Sequence, residues 1–325
     1  MRLSLIRGCI VIITAVLILL DAEIFLRTIN YPWHACQEIY TVSEAKFAQF
    51  DDELGWSYIP HRTTVGDYGE KYIINHEGYR AASQDYKTDF TKPIILIIGD
   101  SMLFGHGLNF EDTFGYKLKK ALNGKFEVLN FAVQAYGTDQ VYIMLKRVFP
   151  KYRPQVIIMN TYAEQVSRNV NRDRREFTTL KCSKITGTKP RFTLRNGILT
   201  LADKPQRFSD YDNPRLLLLA KRFVDGKLES RSQKSGLEIT RALINEIEFY
   251  TRWNNARLYI INIDNSDQAY LDGSNSNALG ITTYAYGSKK SIYHVSETDA
   301  HPNTLGTTMM VERFMSQFTG EQSFR

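Results

Sequence analysis

Five short apolar runs constrain the fold of this chain more than any other feature. They occupy residues 94–98, 126–129, 156–159, 258–263 and 292–295. Apolar runs of this length are typical of strands in a parallel sheet whose two faces are both covered. Because helical patterns lie between or after them, they predict a doubly wound α/β fold with five parallel strands and right-handed crossovers. Ligands bind such sheets beyond the carboxyl ends of the strands, so we expect the chemistry there.

Four apolar patterns with helical spacing complete this alternation. Asp112 precedes the first of them, and we predict it to be the N-cap of that helix. The patterns are Phe114, Leu118 and Leu122; Val141, Met144, Leu145 and Val148; Ile239, Leu243, Ile247 and Tyr250; and Leu305, Met309, Val311 and Phe314.

Two regions do not follow the alternation and predict additions to an α/β domain that we place at residues 91–325. Residues 31–90 form a lead-in whose glycine, tyrosine and charge content predicts a small β-rich unit. Residues at about 165–235 form an insertion between the third and fourth strands. Inside it, alternating apolar residues flank Asn196 and Gly197, the preferred pair for a type I′ turn, and predict a β-hairpin.

Residues 1–30 predict a membrane segment. The apolar stretch from Gly8 to Leu20 would be about 20 Å long as a helix, and the residues before it bring the span close to the roughly 30 Å of a bilayer core. Arg2 and Arg7 precede the stretch and predict a body that faces the periplasm or the cell exterior. The lengths of the charged n-region and of the apolar h-region also fit a cleaved signal peptide. No A-x-A-like cleavage site follows Leu20, however, so we favour an uncleaved anchor. A buried helix of a soluble protein is the third alternative.

The net charge of +6 is spread along the chain, except for four arginines that lie close together. We interpret this cluster as a solvated loop, and a contact for an acidic glycan or lipid headgroup is the alternative. No recognition motif or long basic stripe is present, so nucleic acid is not an expected partner. The cluster comprises Arg168, Arg172, Arg174 and Arg175.

Three cysteines bear on the redox and metal chemistry of the chain. Cys9 lies in the apolar N-terminal stretch. Cys36 and Cys182 are candidates for a disulfide bond if the body of the protein is in an oxidising compartment. No C-x-x-C motif is present, so the sequence predicts neither a zinc site nor thioredoxin-like chemistry. We expect no metal and no cofactor.

A serine stands where the first predicted strand meets the ligand edge of the sheet. The strand runs directly into Gly99, Asp100 and Ser101, and nearby glycines permit a tight turn whose N–H groups face a developing oxyanion. A serine hydroxyl needs a base to take its proton. His301 follows the last predicted strand at the same edge, and Asp299 is placed to orient it. Taken alone, each of these short segments is also a common turn or helix-capping segment.

Two other histidines receive no catalytic role. His294 lies within the last predicted strand, so we expect it to be packed. His106 is close to Ser101 in sequence, but no orienting acid is apparent for it. The sequence therefore favours His301 as the base.

Several motifs together resemble the SGNH/GDSL hydrolases. The most specific are G-D-S at 99–101 and D-A-H-P-N-x-x-G at 299–306. Other motifs resemble a bacterial, often membrane-anchored branch of the family. With them, the resemblance covers the chain from about residue 50 to the end. Its motifs are D-E-L-G-W at 52–56, I-I-N-x-x-G-Y-R at 73–80, D-T-F at 112–114, V-L-N-F-A-V-Q-A-Y-G-T-D-Q at 128–140 and P-R-F-T-L-R-N-G at 190–197.

This resemblance implies a flavodoxin-like sheet and serine chemistry on esters, mostly of acyl or acetyl groups. It makes Ser101 the nucleophile, His301 the base and Asp299 the orienting acid. It also gives backbone N–H groups of Ser101 and of the turn at 135–137 to the oxyanion hole.

The oxyanion turn departs partly from the family pattern. Gly137 matches it, whereas Ala132 and Ala135 stand where glycine is usual. Backbone donors survive such changes if the turn keeps its shape. An alanine at a positive φ would, however, be strained.

The block after the third strand departs further. The family usually has an Asn-Asp pair here whose asparagine donates to the oxyanion, and this chain has Glu164 and Gln165. An ionised glutamate cannot donate a hydrogen bond, and the loss of one oxyanion donor costs about 3–4 kcal/mol. Asn160, Gln165 or a protonated Glu164 are the alternative donors.

These features support two classes of function. The leading hypothesis is acyl transfer through an acyl-enzyme on Ser101, to water in an esterase or to a sugar hydroxyl in an O-acyltransferase, on an envelope glycan or lipid. The alternative is a non-catalytic or weakly active glycan-binding or assembly component of an envelope polysaccharide system, which Glu164 favours and the intact Ser101, Asp299 and His301 disfavour. A cofactor-binding flavodoxin-like domain is disfavoured, because no phosphate-cradling motif follows the first strand.

Overall fold

The computed structural model describes residues 2–29, 47–172, 188–207, 214–217, 219–220, 229–263 and 292–320. Its elements in chain order are α1 (Arg2–Thr28), β1 (Ala48–Asp51), β2 (Gly55–Tyr58), β3 (Arg62–Val65), β4 (Lys71–Ile74), β5 (Ile94–Ile98), α2 (Ser101–Phe104), α3 (Phe114–Ala121), β6 (Glu127–Asn130), α4 (Thr138–Tyr152), β7 (Val156–Thr161), α5 (Ala163–Val170), β8 (Arg191–Arg195), β9 (Ile198–Asp203), α6 (Glu229–Trp253), β10 (Arg257–Asn262) and α7 (Thr304–Gly320).

A parallel sheet in the order β10-β7-β5-β6 organises the α/β body. Its two inner strands, β5 and β7, are buried along their whole length, as their aliphatic runs predict. The chain moves from β5 to β6 in one direction and returns across β5 to β7, so right-handed crossovers place α3 on one face of the sheet and α4 on the other. Helix α7 packs on α3, and α6 packs on α4. The carboxyl ends of β5 and β7 therefore meet at the switch point of the sheet, where ligands bind in such folds.

The predicted fifth strand is wrong: the parallel sheet of the described residues has four strands. Residues 292–295 form a turn and make a single bridge, between His294 and Pro302. Ile292 is 71% exposed, which is incompatible with a buried strand. The backbone of this segment hydrogen-bonds residues 301–303 instead of the sheet, because Val295 N–H donates to the His301 carbonyl and Asn303 N–H to that of Tyr293.

The four predicted helical patterns all lie on helices, with two corrections. The N-cap of α3 is Thr113 and not Asp112, since the Thr113 hydroxyl accepts a hydrogen bond from Tyr116 N–H. In α7 the buried position is Met310 rather than Met309, and Leu305 is exposed. Both corrections concern the phase of a pattern and not the presence of the helix.

The lead-in contains two antiparallel strand pairs, β1 with β2 and β3 with β4. An aromatic cluster joins it to the α/β body, because Phe47, Tyr58 and Tyr72 of the lead-in pack their rings against Phe104 of α2. The lead-in thus contacts the segment that carries the predicted nucleophile.

The predicted hairpin is present as β8 and β9. Asn196 and Gly197 both have positive φ, as a type I′ turn requires. Phe192 of the hairpin packs with Ile239 and Leu243 of α6. Just before the hairpin, Lys189 forms a fully buried ion pair with Asp139 near the start of α4.

Helix α1 confirms the apolar N-terminal segment and extends beyond it. Residues Ile6–Thr28 have a mean hydropathy of 2.6, and none of the apolar window within them is buried in the protein. Such a helix is a candidate membrane span, and a signal sequence has the same properties. Glu23 accepts hydrogen bonds from the N–H groups of Arg215 and Leu216. Cys36 and Cys182 lie outside the described residues, as do Arg174 and Arg175.

Candidate active site

Ser101 lies where the sequence predicts, at the carboxyl end of the inner strand β5 and at the first position of α2. Gly99 turns the chain there with φ of 155°, and a Cβ at this position would lie 2.1 Å from the Asn160 side-chain oxygen, so only glycine fits. Asp100 caps α2 by accepting a hydrogen bond from Met102 N–H. This turn holds the serine rigidly at the ligand edge of the sheet.

His301 and Asp299 complete a hydrogen-bonded triad with this serine. His301 Nε2 is 2.7 Å from Ser101 Oγ, and His301 Nδ1 is 2.5 Å from Asp299 Oδ1. Burial alone would raise the pKa of Asp299, but hydrogen bonds from His106 and His301 outweigh it and hold that pKa far below its usual range. The ionised carboxylate therefore holds the orientation of the His301 ring, an arrangement in which it can stabilise a protonated imidazole.

The acid next to Ser101, Asp100, is held by a set of buried side chains. It is fully buried, and its carboxylate accepts hydrogen bonds from Asn160 Nδ2 at 2.8 Å, Gln165 Nε2 at 3.2 Å and Arg168 Nη1 at 2.9 Å. Every donor in this set comes from β7 or α5. The turn that carries Ser101 is thus fastened to the neighbouring strand and helix.

Arg168 corrects the interpretation of the arginine cluster as a solvated loop. Its side chain is only 7% exposed and forms ion pairs with Asp100 and Glu164. Arg172, four residues on, lies near Asp203 at 3.8 Å. The described part of the cluster is therefore bound to carboxylates of this chain. Arg168 compensates the buried charge of Asp100, which the sequence alone does not reveal.

The residues predicted as alternative oxyanion donors are engaged elsewhere. Asn160 uses both ends of its amide on Asp100, donating to its carboxylate and accepting from its N–H at 3.1 Å. Gln165 is fully buried between Asp100 and Thr138. Glu164 accepts two hydrogen bonds from Arg168, at 2.8 and 3.1 Å, which offsets the negative charge that would oppose an oxyanion.

The backbone donors of the oxyanion turn differ from one another. Gly137 N–H donates to Gln140 Oε1 at 3.1 Å and caps α4. Ala135 has φ of 67°, the strained conformation that the sequence comparison with glycine anticipates. Within the part of the chain that the structure describes, neither Ser101 N–H nor Ala135 N–H has a hydrogen-bond acceptor.

Three residues to which the sequence analysis gives no catalytic role form a chain of contacts that ends on Asp299. Tyr68 OH donates to Asp299 Oδ2 at 2.9 Å, and His106 Nε2 lies 3.4 Å from the same oxygen. Gln134 contacts the other ring nitrogen of His106 at 2.7 Å. The only sequence signal for a role of His106 was its closeness to Ser101 in the chain. The acid that the sequence analysis did not find for it is Asp299.

Arg80 of the lead-in hydrogen-bonds the backbone of the segment that follows Ser101. It is almost fully buried and donates to the carbonyl groups of Phe104, Gly105 and Leu108 at the end of α2. Burial lowers its pKa to about 10, so it remains a cation at neutral pH.

His106, Asp299 and His301 also offer one potential metal-ligating atom each, all within 4.8 Å of one another. Hydrogen bonds within the triad and its surroundings account for His301 Nδ1, for both oxygens of Asp299 and for His106 Nε2. We therefore assign no metal to these residues.

No protein-family model and no curated protein matches the sequence. Among solved structures, the chain is similar to a member of the lipolytic G-D-S-L family from Veillonella parvula, with 10% identity, a TM-score of 0.39, and coverage of 70% of this chain and 98% of that one. It is similar to a psychrotrophic esterase from Pseudoalteromonas, with 11% identity, a TM-score of 0.39, and coverage of 70% and 98%. It is also similar to a catalytic mutant of an acetylxylan esterase from Geobacillus stearothermophilus, with 10% identity, a TM-score of 0.38, and coverage of 69% and 93%.

These likenesses are too low to carry an inference about activity, which must rest on the residues of this chain. The G-D-S segment follows an inner strand of the parallel sheet, and the D-A-H-P-N segment brings its histidine to the serine. Strand order, motifs and triad together describe an α/β fold with a Ser101–His301–Asp299 arrangement at the ligand edge of its parallel sheet, which resembles the SGNH hydrolases.

Proposed function

We propose that this protein is a serine-dependent enzyme that acts on ester bonds through an acyl-enzyme on Ser101. The observation that carries the proposal is the continuous set of contacts from Ser101 Oγ through the His301 ring to Asp299. Its geometry is that of a nucleophile within reach of its base, and of a base oriented by a buried acid.

The reaction divides into two acyl transfers. His301 Nε2 takes the proton of Ser101 as Oγ attacks the ester carbonyl, and Asp299 stabilises the resulting imidazolium. The carbonyl oxygen becomes an oxyanion, for which the N–H groups of Ser101 and Ala135 are the available backbone donors. Collapse of this intermediate breaks the ester C–O bond, and His301 returns its proton to the departing alkoxide. Water or another hydroxyl then attacks the acyl-enzyme, with His301 again as base. The bond between the acyl group and Ser101 Oγ breaks, and His301 returns the proton to Oγ.

The substrate belongs to the finer part of the proposal. An exposed apolar helix at the N-terminus supports action at a membrane, either as an anchor or as a signal sequence for export. We infer an acyl or acetyl ester of an envelope glycan or lipid as the substrate, with a sugar hydroxyl as an alternative acceptor to water. The two acceptors lead to an esterase and an O-acyltransferase, respectively.

A glycan-binding or assembly component is the second candidate function. One observation favours it: Asn160, Gln165 and Glu164 are all engaged with neighbouring side chains, so no side-chain oxyanion donor is identified among them. Loss of such a donor costs a hundred- to a thousandfold in rate, by order of magnitude. A slow serine enzyme and a binding protein therefore remain the two outcomes to separate.

Fluorophosphonate labelling of the full-length protein in detergent, with p-nitrophenyl acetate turnover in parallel, tests the proposal. Wild type and the matched control Ser167→Ala, which alters an exposed serine on α5, are expected to label and turn over. Ser101→Ala is expected to do neither. If wild type neither labels nor turns over, the serine chemistry is excluded and the glycan-binding candidate takes its place. Turnover in the presence of added sugar hydroxyls distinguishes transfer from hydrolysis.

A further inference from the structure

The two oxygens of Asp299 have different partners. Oδ1 accepts from the His301 ring at 2.5 Å and from His301 N–H at 3.0 Å. Oδ2 faces away from the triad, toward Tyr68 OH at 2.9 Å and His106 Nε2 at 3.4 Å. Tyr68 belongs to the lead-in and His106 to the segment after α2, so two separate regions of the chain converge on one oxygen.

A chain of hydrogen bonds fixes the tautomer of His106. Tyr58 OH donates to Gln134 Oε1 at 3.3 Å, and Gln134 N–H donates back to Tyr58 OH at 2.9 Å. This orientation turns Gln134 Nε2 toward His106 Nδ1, at 2.7 Å. Since Nδ1 accepts, the proton of the neutral ring is on Nε2, which is the atom that faces Asp299.

Tyr68 is a donor by the same reasoning. Burial, with a further contribution from the Asp299 charge, raises the pKa of Tyr68 to about 12, so its hydroxyl keeps its proton at neutral pH. Tyr68 is 49% exposed, so loss of its hydroxyl would leave no buried cavity. Tyr68→Phe therefore removes the hydroxyl without creating a cavity.

We propose that His106 and Tyr68 are positioning residues that hold the outer oxygen of Asp299, so that its inner oxygen is aimed at His301 and its charge is shared between two sides. This inference rests on the proposed serine chemistry and deepens it. The rings of His106 and His301 lie 4.5 Å apart between centroids, so a positive charge on His106 would oppose the formation of an imidazolium at His301.

Because the charge of Asp299 is shared between two sides, the proposal predicts a change in the pH dependence of activity. Donors on Oδ2 draw electron density from Oδ1 and weaken the stabilisation of protonated His301. Their removal should strengthen that stabilisation and move the acid limb of activity to higher pH. Among the described residues, the other titratable groups that face these side chains include His294, Glu70, Tyr72 and Asp67.

The experiment is the rate of fluorophosphonate labelling against pH for the full-length protein in detergent. Tyr68→Phe and His106→Leu are expected to slow labelling about tenfold at the plateau, because the carboxylate is less well aimed. Both are expected to move the acid limb upward by about half a pH unit. His106→Gln keeps an N–H near the position of Nε2 and is expected to restore most of the rate. Tyr116→Phe, on α3, is the matched control and is expected to behave as wild type.

Three results decide the matter. If wild type labels, and Tyr68→Phe and His106→Leu retain its rate and pH profile, the positioning role is wrong and the serine chemistry stands. A uniform loss of rate without a shift of the acid limb, or without rescue by His106→Gln, reduces His106 to a structural role and also overturns the proposal. If wild type does not label at all, the proposed function fails and this inference fails with it. Should His106→Leu not fold, as judged by its thermal unfolding, Tyr68→Phe alone carries the test.

Discussion

The two halves of the proposed catalytic pair, Ser101 and His301, are supported in different ways. Ser101 follows an inner strand, and the buried Asp100 beside it is fastened to β7 and α5 by three side chains. His301 lies on the turn at 292–303, where Ile292 is largely exposed and the supporting hydrogen bonds are mostly local. Ser101 is thus fixed by the core of the sheet, whereas His301 is fixed by a loop. Changes on the serine side should therefore lower the free energy of unfolding most, and changes on the histidine side should slow the proposed chemistry first.

The largest effect is expected from Arg168→Met. The substitution leaves the buried Asp100 carboxylate without its cation and removes a hydrogen bond of 3.0 Å to the Tyr136 carbonyl. Removal of one partner from a buried ion pair costs about 3–5 kcal/mol. We expect a loss of this size in the free energy of unfolding, measured by urea denaturation.

Arg147→Met is the matched control for this prediction. Arg147 also binds two carboxylates, Asp51 and Glu53, but its side chain is 33% exposed. A pair of this kind contributes about 0–1 kcal/mol. Equal losses for the two variants would contradict the view that the serine side depends on its buried network.

On the histidine side, Asn303→Ser should separate activity from stability. Asn303 Nδ2 donates to the carbonyl groups of Ile292 and His294, both at 2.8 Å, and its Oδ1 accepts from Gly306 N–H at the start of α7. Serine keeps the capping acceptor and loses the two donations. We expect a change of less than about 1 kcal/mol in unfolding free energy, with labelling of Ser101 slowed about tenfold or more because the base is misplaced.

Asn303→Ala removes the cap as well and provides the control. It should label as slowly as Asn303→Ser but lose about 1 kcal/mol more stability. If Asn303→Ser labels at the wild-type rate, the local hydrogen bonds do not position His301, and the comparison of the two halves would have to be abandoned.

The sequence predicted local features well and long-range pairing poorly. β5 and β7 were predicted because an unbroken aliphatic run needs burial wherever it lies, and the triad because its two motifs are each local. The strand at 292–295 was wrong, since so short a run does not say whether it pairs with a sheet or with the next turn. The roles of Arg168 and Tyr68 depend on partners 68 and 231 residues away in the chain. No spacing or periodicity specifies such contacts.

The smallest effect concerns strain on the serine side, which Ala135→Gly should relieve. Ala135 has φ of 67°, and a left-handed conformation costs a non-glycine residue about 1–2 kcal/mol. Glycine loses about 0.5–1 kcal/mol through the entropy of the unfolded chain, so we expect a net gain of a few tenths to about 1 kcal/mol in unfolding free energy. Ala132→Gly makes the same change three residues earlier, where φ is not positive, and should instead destabilise by about 1 kcal/mol. Opposite signs in urea denaturation would show that the turn beside the nucleophile stores strain that the surrounding core tolerates. Equal losses would show that the core around Ser101 is relaxed, and that its rigidity comes from the Asp100 network alone.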